Sequence, residues 1–231
     1  MSEPFTAQRP RARWSALWQP PSAEARLVAA IGALALLGLS ASALALSPLF
    51  MPAVYSVSSQ TLSEAAAQAL PNGWVARLGF LTFGQAVLWL AAAFQDRWAR
   101  IAWWPHALFG VFMMGAAAFS QRPWIEGAPA DEFEDALHSL MATAMGFAFA
   151  LGTAARYLQR RIEREPGGTF DFVALAASVA LPLAMITMPA YAGFAQRAMF
   201  AVAYLWYGLE ALRVLRAHLR STNGPPESGR A

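Results

Sequence analysis

The chain has no cysteine and no lysine, and only three histidines in 231 residues. Without cysteine there can be no disulfide, no zinc-thiolate centre and no cysteine nucleophile, although the redox compartment stays open. His106, His138 and His218 are a thin supply for a zinc hydrolase, whose metal usually takes three protein ligands with histidine prominent among them. Charge is scarce as well. Charged residues make up 13% of the chain, against roughly 25% in soluble domains, while 57% of residues are hydrophobic. A water-facing surface cannot be assembled from that composition, so the apolar excess must face lipid.

What is present is a series of long apolar runs. A helix rising 1.5 Å per residue needs about 20 residues to cross a hydrocarbon layer roughly 30 Å thick. Runs of that kind occupy Leu27–Leu49, Val75–Phe94, Ile101–Phe119, Leu137–Leu158, Phe172–Tyr191 and Ala195–Leu215. The expected fold is all-α, a polytopic membrane helix bundle with six transmembrane helices within 26–216. Residues 1–25, with Arg9, Arg11, Arg13 and several prolines, read as a disordered cytoplasmic segment, and 217–231 as a disordered cytoplasmic tail. Ala43 to Ser47 would suit a signal-peptide cleavage site. The first run exceeds the 7 to 15 residues of a cleaved apolar region, however, so it is expected to remain as a span.

Every basic residue is an arginine, and all of them except Arg77, Arg122 and Arg197 fall on one side of such a bundle. Arginines near short loops are retained in the cytoplasm, so both termini are expected on the cytoplasmic side of a bacterial-type inner membrane. These arginines lie in short clusters between spans, without interleaved aromatics, which argues for topology signals and against nucleic acid as a partner. Trp74, Trp98, Trp103, Trp104 and Trp124 lie near span ends and read as interfacial anchors. Ala142, Gly146, Ala150 and Ala154, four residues apart, would let another helix approach closely. Pro182 and Pro189 predict a kink near the outer end of the fifth span.

Polar residues concentrate in two outer loops, about Phe50 to Trp74 and Ser120 to Ala136. In the first, Thr61 and Glu64 have capping-box spacing, whereas Ser63 would fall in the first helical turn, away from the cap. The second closes on Asp131, Glu132, Glu134 and Asp135, followed by His138 and Ser139. Glu134 and Asp135 lie four and three residues before His138, so either carboxylate could orient the imidazole or join it around a divalent cation. Asp131, Glu134, Asp135 and His138 are the metal candidates. The same carboxylates could equally be helix-start residues, stabilised there by unsatisfied amides. His106 lies about 7 to 8 Å from the inner boundary, too far from His138 to share an ion. Few ionisable groups lie deep in the spans, which disfavours charge translocation. Glu210 can pair with Arg213, and Asp171 reads as a helix-start residue at the inner surface.

Tyr55-Ser56, Gln60-Thr61-Leu62-Ser63-Glu64, Pro71-Asn72-Gly73-Trp74 and Leu78-Gly79-Phe80 resemble the first-loop pattern of a six-helix bacterial and archaeal membrane family, domain of unknown function 998. Glu134-Asp135-Ala136-Leu137-His138-Ser139 and Met145-Gly146-Phe147-Ala148-Phe149 resemble its second motif. The likeness runs from about Leu27 to Arg216. It singles out Ser63, Glu64 and His138, the positions that match the family's two polar motifs. Many relatives carry a Phe-Pro pair and then an Asp after the third span, where this chain has Phe119-Ser120-Gln121-Arg122-Pro123.

The resulting expectation is a polar outer pocket holding a lipid headgroup or small amphipathic ligand, with Ser63, Glu64, Arg77, His138 and Arg197 as binding residues and Arg77 and Arg197 meeting an anionic group. A membrane-embedded lipid hydrolase is the enzymatic alternative, with Ser63, His138 and Asp135 as catalytic candidates, metal-dependent or using His138 as a general base. A structural or partner-binding membrane protein is the third reading. The sequence names no cofactor, ligand or oligomeric partner beyond the lipid bilayer.

Overall fold

The computed structural model describes residues 20–222. The segments 1–19 and 223–231, where most of the expected terminal disorder falls, lie outside the described residues. Among those described there are seven α-helices and no strand: α1 (Ala23–Leu46), α2 (Leu62–Ala65), α3 (Trp74–Ala93), α4 (Arg100–Ala118), α5 (Glu132–Glu163), α6 (Gly168–Thr187) and α7 (Ala192–Thr222). All but the single-turn α2 are long and apolar enough to cross a membrane, so the chain is a six-span membrane bundle.

Caps set the helix ends further out than hydropathy does. The Ser22 hydroxyl accepts from the Ala25 amide at 3.1 Å, so α1 begins at Ala23, inside the segment expected to be disordered to residue 25. Asp131 caps the start of α5 and Arg164, with φ 58°, turns the chain out of it. Helix α5 therefore covers 32 residues, and α7 runs to Thr222, past the expected start of the tail at 217.

The spans form a closed ring in which α1 packs on α3, α3 on α4, α4 on α5, α5 on α6, α6 on α7 and α7 back on α1. Lipid is as apolar as leucine, so close contact and interhelical hydrogen bonds must hold such a ring together. At the α3–α4 crossing a Cβ on Gly84 would lie 2.6 Å from the Gly110 carbonyl oxygen, and one on Gly110 2.9 Å from that of Gly84. In the ring's centre Phe83 stacks on Tyr204 with centroids 4.3 Å apart, and His106 on Trp206 at 4.5 Å. Ser40 of α1 donates to the Gly79 carbonyl of α3 at 2.6 Å and shares a hydrogen bond with the Tyr204 hydroxyl of α7.

One end of the ring carries the two long connections and forms a lid. The other carries the short turns 94–99 and 164–167 and most of the described arginines. Two expectations change at this arginine end. Trp98 is no interfacial anchor, being 3% exposed and stacked flat on Phe94 beside His106 and Trp206. Asp171 is no surface residue either. It is fully buried, with both carboxylate oxygens held by Arg160 at 2.6 and 2.7 Å and one also accepting from the Trp206 indole at 2.8 Å. Arg160 also bonds Glu210, which pairs with Arg213 as the spacing anticipates.

Candidate functional site

The lid is built from the segments that carry the sequence candidates, and its geometry follows from how each backbone amide finds a partner. The Thr61–Glu64 capping box forms: the threonine hydroxyl accepts from the Glu64 amide at 3.1 Å, and the Glu64 carboxylate accepts from the Thr61 amide at 2.6 Å. Ser63 is 8% exposed and its hydroxyl accepts from Gln196 of α7 at 3.4 Å, while the same glutamine accepts from the Leu62 amide. Arg197 donates to the carbonyls of Val57, Gln60 and Gly193 and to the Tyr55 hydroxyl, at 2.8 to 3.0 Å. Burial raises the Tyr55 phenol above its ordinary pKa of 10.0 while the Arg197 charge pulls it down. It keeps its proton and donates to the Thr61 carbonyl at 2.9 Å. Arg77 reaches the Ala66 and Ala67 carbonyls at 3.1 and 3.4 Å.

The second motif is spent in a similar way. Asp131 accepts from the amides of Phe133 and Glu134, as an N-cap does. Glu134 does not reach back to complete a box; it accepts from the Ser120 amide at 2.6 Å, and Asp135 accepts from that of Arg122 at 2.8 Å. His138 is 2% exposed. Its Nδ1 faces the Phe119 carbonyl at 2.8 Å and that of Ala116 at 3.2 Å. Carbonyls only accept, so Nδ1 is the donor to them, while Nε2 is buried without a partner among the described residues. Carbonyls, and neither nearby carboxylate, thus orient the imidazole. No hydrogen bond joins Ser63 to His138 among the described residues, and no group of three or more potential metal ligands gathers there.

Two residues that sequence reasoning passed over tie the lid together. Gln68 donates from its side-chain amide to the Ser120 and Asp131 carbonyls at 2.9 and 3.0 Å, and accepts from the Asp131 amide at 2.6 Å, so it joins the first loop to the second. Gln196 joins α2 to α7. A glutamine in an alanine-rich stretch carries no motif, so nothing in the sequence marked Gln68. Beside it the two loops leave a recess of about 380 Å³, lined by Gln68, Arg77, Ser120, Asp131 and Glu134 together with Ala69, Pro129 and Ala130. Ser120 is 1% exposed and its hydroxyl has no partner among the described residues. Ala69 holds φ at 58°, a left-handed conformation unusual for a residue with a Cβ. The recess takes in Arg77, Asp131 and Glu134 from the sequence candidates and leaves Ser63, Glu64, His138 and Arg197 outside its wall.

The chain matches a family described as "Protein of unknown function (DUF998)" over residues 33–213, an interval that includes both lid loops. No curated protein and no solved structure matches it.

Proposed function

The chain belongs to the DUF998 family, and on that premise we propose that it is a membrane binding protein that takes the headgroup of a lipid or small amphipath into the lid recess. The observation that carries this reading is the Ser120 hydroxyl, buried in the recess wall without a partner among the described residues. An unsatisfied buried hydroxyl is costly, and a ligand that bonds it recovers the loss. Arg77 brings a positive charge to the same wall, and Asp131 and Glu134 bring carboxylates. That mixture suits a zwitterion, with the anionic group toward Arg77 and an ammonium toward the carboxylates. Ser63, Glu64 and Arg197 then serve the site by holding its loops, and His138 by fixing the Phe119 carbonyl next to Ser120. The arginine asymmetry supports an extracytoplasmic lid in a bacterial-type inner membrane, with both termini cytoplasmic.

A scaffold reading has support of its own, since the capping box and the Arg197 bonds commit those groups to backbone. The hydrolase alternative rests on the Nε2 of His138, which is buried with no partner among the described residues. Hydrogen exchange of the lid amides in nanodiscs separates binding from scaffold. Phosphatidylethanolamine should slow exchange across 64–70 and 119–131 relative to phosphatidylcholine, whose headgroup nitrogen cannot donate, and Ser120→Ala or Arg77→Gln should abolish the difference. Equal exchange in both lipids would leave the scaffold reading in its place.

A further inference from the structure

At the end opposite the lid, the α5–α6 turn and the last turns of α7 enclose a partly open cavity of about 500 Å³. Arg97, Arg156, Arg213, Arg216 and Arg220 line it, against the two carboxylates of Glu165 and Glu210. Arginines beside short loops orient membrane proteins and need no ligand to explain them; the exposed Arg216 and Arg220 fit that description. Arg156 does not. It is 4% exposed, one of its terminal nitrogens donates to Glu165 at 3.1 Å, and its Nε and Nη1 are buried with no partner among the described residues. A charged donor left unmet away from water is among the more costly things a fold can hold. Glu210 adds a complementary need, because Arg160 and Arg213 share one of its oxygens while the other, also buried, has no donor among the described residues.

The backbone contributes as well. Helix α6 starts at this wall with Gly167 as its N-cap and no side-chain cap, so the positive end of a 20-residue helix faces the same region. Gly167 holds φ at +107°, and a Cβ there would collide with the Arg213 guanidinium, so glycine is what allows backbone and arginine to sit this close.

We infer that this cavity binds a phosphomonoester anion, at a site separate from the lid recess. Phosphate oxygens accept from the two unused donors of Arg156, with the other arginines supplying charge. A phosphomonoester loses its second proton near pH 6, so a singly protonated form is available to donate its P–OH to the open oxygen of Glu210. Sulfate, which has no proton to give, meets only half of that arrangement. The ester can be a phosphatidic acid headgroup from the adjoining leaflet or a soluble phosphomonoester, since both present the same group.

The test uses the full chain purified in detergent, with inorganic phosphate as the first probe and thermal unfolding plus calorimetric titration as readouts. Phosphate should raise the unfolding temperature more than sulfate at equal ionic strength, and Ser120→Ala in the lid should leave that response unchanged. Arg156→Gln should weaken binding by about tenfold or more, the scale of one charge-assisted hydrogen bond. Should that variant not fold, the Arg216→Gln, Arg220→Gln double variant, altered only at exposed positions, should bind severalfold more weakly. Reconstitution in phosphatidylcholine vesicles with and without phosphatidic acid identifies the source. Stabilisation by phosphatidic acid beyond phosphatidylcholine assigns a lipid headgroup, and a phosphate response with no added stabilisation by phosphatidic acid assigns a soluble ester. Neither probe stabilising the wild type, or unchanged affinity in a folded Arg156→Gln or in the double variant, overturns the proposal.

Discussion

Asp96, in the short turn between α3 and α4, shows what a single charged residue does at the arginine end. Both of its oxygens accept from Arg26, at 2.5 and 2.6 Å, while the same guanidinium donates to the Ala93 carbonyl at 3.1 Å and to that of Pro21 at 3.2 Å. One arginine near the start of α1 thus fastens the turn that closes α3. The hydrogen bonds from Arg26 hold the Asp96 carboxyl below its ordinary 3.8. A depressed carboxylate contributes stability that is fully present above the unfolded value and is lost as pH falls through the folded one. Unfolding temperature should therefore be insensitive to this pair at neutral pH and decline below about pH 4. Asp96→Asn should flatten that part of the profile and cost roughly 1 kcal/mol at pH 7, a modest figure because the aspartate is about a third exposed to screening solvent. A pH–melting curve on the two proteins, recorded in the same detergent, checks both points; an unchanged acid limb in the variant would remove Asp96 from the account.

Among the elements, small residues decide which helices meet, and spacing within one helix is a poor guide to where. The four-residue series Ala142, Gly146, Ala150 and Ala154 promises a packing seam on α5, yet among the described residues a Cβ on Gly146 would meet nothing within 4 Å. The tight crossing is made by Gly84 and Gly110 on two different helices, and neither belongs to a four-residue series of small residues. Such a pair becomes visible only when the helices are placed side by side, which is why the seam is legible in sequence and the crossing is not. Gly84→Val should force α3 and α4 apart and cost about 1–3 kcal/mol, the usual range for overpacking a close contact. Gly146→Val, in open space, should cost far less. Thermal unfolding of both variants in one detergent is the comparison, and equal losses would mean that the crossing has room to give. The spans themselves were plain, because 20 apolar residues are a membrane-length signal whatever they touch. Helix ends were less so: α5, at about 48 Å, outruns the roughly 30 Å hydrocarbon layer on hydrogen bonds from Asp131 and on the left-handed turn at Arg164.

Seen whole, the molecule is a ring of spans with its loop chemistry at one end and its buried charge at the other, joined by α5, which carries Asp131 and His138 near its start and Arg156 and Arg160 near its finish. The lid motifs were readable because capping boxes and acidic helix starts have fixed spacing; their role as braces was not, since a carboxylate that caps and one that catalyses have the same sequence. The arginine cluster misled in the opposite direction. Arg156 and Arg160 count as topology signals in any tally, and only burial separates them from Arg216 and Arg220. Sidedness joins both sites to a compartment, and the absence of cysteine makes it directly measurable. Single substitutions Glu126→Cys in the lid and Glu163→Cys at the arginine end, both exposed positions, introduce one thiol each into a cysteine-free chain. With a membrane-impermeant maleimide added to intact spheroplasts, the lid cysteine should label at once and the other only after lysis, because the arginines bias their end toward the cytoplasm. The reverse pattern would place the phosphate cavity outside and the lid recess inside, exchanging the leaflets from which each would draw its ligand.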